Sequence, residues 1–272
     1  MRSVCVANQK GGVGKTTITV TLAAAAAAAG INVLVIDADP QGHATVALGR
    51  QELYSGETPN LATVFMGESP GVGLAELIDL QVWTPANGRL TGRIDLLPSC
   101  PAMFLVEPRM TADRGREFRL ARLLTAAGLE GHYGLCLIDC PPSLGILTDN
   151  ALIASREVII VAGADPASGH GLGLLISQIR SLRDALDVDV AIAGLVVNRV
   201  EATRVSRKSL TGFADLGLPI LATVPKRTRL VEAWDAGRPI QDTEPAGDIA
   251  AIFTDLLAEL DLLIDAPEGA QA

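Results

Sequence analysis

Aromatic side chains are scarce in this chain, at 3% of 272 residues, while the hydrophobic share reaches 49%. A core filled by Ala, Val, Leu and Ile suits helices laid on a parallel sheet. Cysteine is also sparse. Cys5, Cys100, Cys136 and Cys140 contain no C-x-x-C pair and fall mostly in apolar runs, so they read as buried thiols and not as a disulfide framework or a cluster site. The three histidines, His43, His132 and His170, are too widely spaced to hold a metal together. Long apolar runs are missing with one exception. The window Thr17 to Ile36 has about the length of a membrane span, roughly 20 residues, but Gly30 divides it into a helix over Thr16 to Ala29 and a β-branched strand over Ile31 to Ile36. The apolar run Val4 to Ala7 is too short for a secretory signal, so a cytoplasmic location is expected.

Apolar, β-rich runs recur along the chain with helical stretches between them. Strands are predicted at Ser3 to Ala7, Asn32 to Ile36, Ile94 to Leu97, Leu135 to Ile138, Val158 to Val161, Ala191 to Val197 and Ile220 to Val224. Helices are predicted at Lys15 to Ala29, Glu117 to Ala127, Ile146 to Ala154, Gly169 to Ala185, Arg204 to Ala214, Leu230 to Asp235 and Ile249 to Leu263. That alternation predicts an α/β fold, a single doubly wound and mostly parallel sheet with helices on both faces. The expected organisation is one domain over residues 1–265, with an insertion near 49–93 and a flexible tail at 266–272. Inside the insertion two short helical pieces are expected, Leu61 to Met66 and Gly73 to Leu80.

Residues 9 to 17 read Gln-Lys-Gly-Gly-Val-Gly-Lys-Thr-Thr. This is a phosphate-binding loop with a second lysine, Lys10, and with Gln9 where the ordinary G-x-x-x-x-G-K-[ST] pattern has glycine. The expected phosphate cradle is Gly11, Gly12, Val13, Gly14, Lys15, Thr16 and Thr17. Glycines let successive N–H groups turn toward phosphate oxygens, and the helix opening at Lys15 adds its positive end. Lys15 is expected to reach the β and γ phosphates, and the Thr16 hydroxyl to ligate Mg²⁺. The next strand runs into Asp37-Ala38-Asp39-Pro40-Gln41-Gly42, and a later one ends Ile138-Asp139-Cys140-Pro141-Pro142. Three carboxylates thus gather at the carboxyl edge of the sheet, where ligands bind in open α/β folds.

The runs KGGVGKTT, DADPQG and IDCPPSLG resemble the ParA/MinD group of deviant Walker A ATPases, and the ParA branch most closely. The resemblance extends through Asn198-Arg199 and the segment from Val224-Pro225 to Ala233, and so over nearly the whole chain. It implies an ATPase that uses ATP and Mg²⁺, slow unless a partner stimulates it. It implies that Lys10 is a signature lysine crossing the interface of a homodimer to the partner's ATP, with Gly11 where the subunits meet. It also implies that Asp39 orients the attacking water and that Asp37 and Asp139 hold Mg²⁺ through water. Asn198, Arg199 and Pro225 would surround the adenine. A cation supplied from a partner makes hydrolysis conditional on assembly, because phosphoryl transfer is catalysed by positioning and charge. Two positions depart from the pattern: His43 stands where relatives often have Asn, and Ala164-Asp165-Pro166 replaces a more aromatic segment.

The formal net charge is −9, which by itself argues against nucleic acid. The segment from Arg199 to Arg238 nevertheless carries eight basic residues against four acids. Such a face can bind phosphate backbones without sequence preference and with steep salt dependence. Together with the resemblance it predicts non-specific DNA contacts at Arg204, Arg207, Lys208, Arg227 and Arg229, a nucleoid-associated location and a ParB-type activator. With the loop strand starting at residue 3, no helix-turn-helix and no operator-specific repression are expected. No membrane partner is expected either, because the helix from Ile249 carries acids and no lysine or arginine. Two other readings share parts of the pattern: a ParA-like positioning factor for a cargo other than DNA, and a metabolic synthetase, which would need no signature lysine.

Overall fold

The computed structural model describes residues 1–85, 92–166, 168–243 and 247–262. Among them, β1 (Arg2–Ala7), β2 (Val33–Asp37), β3 (Asp79–Trp83), β4 (Ile94–Leu97), β5 (Leu135–Asp139), β6 (Glu157–Gly163), β7 (Ala191–Val200) and β8 (Ile220–Pro225) form one sheet. Its spatial order is β3-β4-β2-β5-β1-β6-β7-β8. Every neighbouring pair is parallel except β3 with β4. The doubly wound, mostly parallel sheet is therefore the one predicted. Strands β2 and β5 are buried along their whole length, which is why they read as unbroken apolar runs ending in an aspartate.

Alternate residues of each strand feed two cores. Val4 and Val6 of β1 join the core beneath α1 (Lys15–Ala28), α2 (His43–Ala47), α9 (Thr228–Asp235), α10 (Ile240–Thr243) and α11 (Asp248–Glu259). Cys5 and Ala7 join the core beneath α3 (Leu61–Met66), α4 (Val106–Arg109), α5 (Arg119–Ala127), α6 (Ile146–Ser155), α7 (Ser168–Leu186) and α8 (Arg204–Ala214). The alanine run from Ala23 explains the placing of α1. Alanine has the highest helix propensity, and its small side chain lets α1 lie between the sheet and α11 with Ala23 to Ala27 all buried. Gly30, at φ +92°, ends that helical run.

Two expectations fail in the insertion. The piece predicted as a helix over Gly73 to Leu80 is a single 3₁₀ turn, Leu74–Leu77, and the chain then enters β3, a strand the sequence pattern did not announce. A register irregularity between Asp79 and Trp83, with Gln81 at φ +54°, breaks the period of two that marks a strand. The last predicted helix stops at Glu259; its expected end at Leu263 and the tail at 266–272 lie outside the described residues.

All four thiols are buried. Burial pushes Cys136 up to about 12, and a hydrogen bond with Cys5, reinforced by burial, holds Cys140 well above the ordinary thiol range.

Candidate nucleotide site

The loop between β1 and α1 is fixed from both sides. At its start, Asn8 donates through Nδ2 to the Val161 carbonyl (2.6 Å) and accepts from the Lys10 N–H (3.0 Å), tying the loop to β6. Toward its end, Asn198 at the end of the sheet donates through Nδ2 to the Val13 carbonyl (2.8 Å). Gly14 lies against that amide at φ +97°. A Cβ there would come within 2.1 Å of Asn198 Nδ2, so conformation and space both require glycine. Helix α1 begins at the next residue, and its free N–H groups and positive end face the loop. Lys15 is 7% exposed, and its ammonium lies 3.5 Å from the Lys10 carbonyl. Burial lowers its pKa, the mark of a cation with too little counter-charge around it.

The predicted carboxylates come together beside α1. Asp37 and Asp139 are register partners at the ends of β2 and β5, both fully buried. Asp139 accepts from the Thr16 hydroxyl (2.7 Å) and from the Thr19 hydroxyl (3.0 Å). Asp37 accepts from the N–H and the hydroxyl of Thr45, each at 2.7 Å. Burial, with their mutual repulsion, pushes Asp37 up to about 8, and burial pushes Asp139 up to about 7. Two adjacent buried carboxylates in this state are what a divalent cation would relieve, so the residues present fit Mg²⁺. Asp39 is buried as well; its Oδ1 caps the Gln41 N–H (2.9 Å), and its carbonyl accepts from the Ser99 hydroxyl (2.7 Å).

Lys10 points elsewhere. Its ammonium is held by both oxygens of Asp165, at 2.7 and 2.9 Å, just beyond the end of β6. Ser168 donates to the same carboxylate (3.0 Å). Lys10, Gly11, Gly12 and Asp165 border an open cavity of about 570 Å³. A second cavity, of about 320 Å³, lies between Thr17, Asn198, Arg199, Pro225, Leu230 and Trp234. It shares Arg199 and Lys226 with the first, and its lining mixes polar groups with the Trp234 ring. Asn198 lines it with its amide already engaged by the loop and by the Arg199 N–H (2.8 Å), and Arg199 stands at φ +58°.

The basic segment does not form one face. Arg204, Arg207 and Lys208 are exposed on α8 at i, i+3 and i+4, and so on one side of that helix. Arg227 and Arg229 belong to the start of α9, on the other face of the sheet. Arg227 is paired with Asp248 at 2.7 Å and borders the smaller of the two cavities, and the neighbouring Lys226 is paired with Glu201 at 2.7 Å. Sequence reasoning missed Asn8, Thr45 and Ser99, and it marked Asp165 as a departure from the pattern without its partner Lys10. Thr45 follows Asp37 by one short turn, but Ser99 is sixty residues from its partner Asp39, and nothing local signals it.

A family described as an AAA domain matches residues 1–192. The chromosome partitioning protein ParA of Caulobacter vibrioides is 34% identical over 245 residues, which is 88% of this chain and 86% of that protein. The chain belongs to the ParA/MinD-type P-loop ATPases. A further relative of this ParA/MinD-type ATPase is the sporulation initiation inhibitor protein Soj of Bacillus subtilis, 30% identical over 270 residues, 94% of this chain and 97% of that one. Among solved structures, cobyrinic acid a,c-diamide synthase from Mycobacterium smegmatis with bound ADP and magnesium superposes with a TM-score of 0.72. It is 30% identical and covers 87% of this chain and 91% of its own. As a ParA/MinD-type ATPase the protein uses ATP and Mg²⁺, and its family is one of partitioning and positioning ATPases. No helix among the described residues is long and apolar enough to cross a membrane.

Proposed function

We propose that this protein is a DNA-partition ATPase that closes as a homodimer around ATP, binds DNA without sequence preference, and hydrolyses ATP when a ParB-type partner stimulates it. The observation that carries the reading is the placement of Lys10. Its ammonium borders an open cavity beside Gly11, while Lys15 occupies the buried end of the same loop. A synthetase would need only the second of these cations.

Placement supports the following roles. Gly11, Gly12, Val13, Gly14, Lys15, Thr16 and Thr17 hold the phosphates, and Asn198, Arg199 and Pro225 surround the base. Thr16, Asp37 and Asp139 would hold Mg²⁺, which would supply charge neutralisation to the phosphates. Asp39 orients the water that attacks the γ phosphate, and Lys10 reaches the nucleotide of the other subunit. Arg204, Arg207 and Lys208 are the principal DNA contacts; Arg227 and Arg229 contribute less, because Arg227 already has a carboxylate partner. The whole of residues 1–265 acts as one ATPase domain, cytoplasmic and associated with the nucleoid when ATP is bound.

Co-sedimentation with duplex DNA in ADP, in ATP and across a salt series tests the reading. Retention only with ATP, falling steeply as salt rises, is expected. Equal retention with ADP, or none with ATP, would overturn it.

A further inference from the structure

A second cluster of cations lies apart from both the loop and the segment from Arg199 to Arg238. Arg114, Arg116, Arg119 and Arg122 surround an open cavity of about 320 Å³ ahead of and along α5, with Asp113 as the one acid in its lining. We infer that these four arginines form a second phosphate-binding surface that takes the phosphodiester backbone of nucleic acid. The inference rests on the proposed DNA binding and adds to it a surface that the proposal does not contain.

The cluster is built on a fixed base. The 3₁₀ turn Arg116–Phe118 runs directly into α5. Asn150 of α6, 1% exposed, donates to the Arg116 carbonyl and accepts from the Leu120 N–H, each at 2.9 Å, and so pins that turn to the core. Gly115, at φ +62°, leaves room for Arg122, whose Nη2 would lie 2.9 Å from a Cβ there. Arg122 donates to the Gly115 carbonyl (3.4 Å) and lies 5.9 Å from the centre of the Phe118 ring.

The existing partners leave the charge largely open. Arg119 meets Asp113 only at 3.7 Å, and Arg116 meets its neighbour Glu117 at 3.1 Å while also donating to the Thr111 carbonyl. Arg114 is exposed and has no ion pair within 4.0 Å among the described residues. These pairs are only partly exposed, and a phosphate offers each guanidinium two parallel hydrogen bonds in exchange.

The spacing favours a strand over a single ion. Arg116, Arg119 and Arg122 follow one another at three-residue steps, a rise of roughly 5 Å each along a helical run. A row of cations matches a row of phosphates. The lining holds no amide or carboxamide side chain to read a base edge, so the contact is one of position and charge, without sequence preference.

The test uses the full chain with Mg²⁺ and ATP and a labelled duplex, read by fluorescence anisotropy across a salt series. The triple variant Arg114→Ala/Arg119→Ala/Arg122→Ala should bind at least about tenfold more weakly, with a log-log salt slope shallower by about 2 to 3. Arg114→Ala alone, at an exposed site without an ion pair, should flatten the slope by about 1 and serves if the triple variant folds poorly. Wild-type binding with unchanged slope in both variants overturns this surface and leaves the α8 contacts standing. Absence of wild-type binding overturns the DNA reading itself. A parallel melt in millimolar inorganic phosphate separates the sources: stabilisation of the wild type that the variants lose, with no change in DNA slope, would assign the cavity to free phosphate and overturn the nucleic-acid claim.

Discussion

The two ends of the phosphate loop hold lysines five residues apart in opposite surroundings. Lys15 is buried, has no carboxylate within ion-pair distance among the described residues, and has its pKa lowered by that burial. Lys10 is partly exposed and already held by two oxygens of Asp165. The first cation lacks only an anion. The second must exchange one anion for another before it can touch a phosphate, a step that Lys15 does not face. The departure from the family pattern at Ala164-Asp165-Pro166 is thus where Lys10 is restrained.

Removing each end separately should break the comparison most sharply. Lys15→Ala should weaken ATP binding on the order of 100-fold, since a charge-assisted contact in a buried site is lost; a fluorescent-nucleotide titration reads this, and an unchanged affinity would detach Lys15 from the phosphates. Lys10→Ala should leave nucleotide affinity within about threefold while partner-stimulated hydrolysis falls to the basal rate, as phosphate-release assays would report. Persistent stimulation in that variant would end the idea that the two lysines divide binding from assembly.

Smaller effects sharpen the contrast. Asp165→Asn releases Lys10, and because the pair is partly exposed the gain is modest: ATP-driven dimerisation, followed by light scattering, should need about two- to fivefold less protein. A shift in the opposite direction would mean that Asp165 supports the assembled state. Beside Lys15 lie Asp139 and its register partner Asp37, raised to about 7 and about 8 in the folded protein. The folded state then keeps protons that the unfolded chain releases near pH 4. Their contribution to stability is full below that point and disappears as pH rises through about 8. The melting temperature without Mg²⁺ should therefore fall between pH 6 and pH 8.5, and Asp37→Asn should flatten that fall.

What could be read from the chain was local. The glycines at 11, 12 and 14 belong to one turn, and each carboxylate closes its own apolar run, so loop, strand ends and fold class were legible together. Contacts made by the sheet order were not. Ser99 reaches the Asp39 carbonyl only because β4 lies beside β2, and Asp165 reaches Lys10 only because β6 lies beside β1. Strand β3 was hidden by its irregular register. The charge between Arg199 and Arg238 is divided between α8 and α9 on opposite faces of the sheet, and Lys226 and Arg227 are already matched by Glu201 and Asp248.

The buried thiols have a practical consequence. With Cys5, Cys100, Cys136 and Cys140 all inside and Cys136 raised to about 12, the native protein presents no ready nucleophile to a maleimide. A single cysteine introduced at an exposed place such as Arg114 or Val231 would be the one site that labels. Dyes and cross-linkers can therefore be placed on the Arg114 surface or beside the cavity at Trp234 without first stripping the chain of its own thiols.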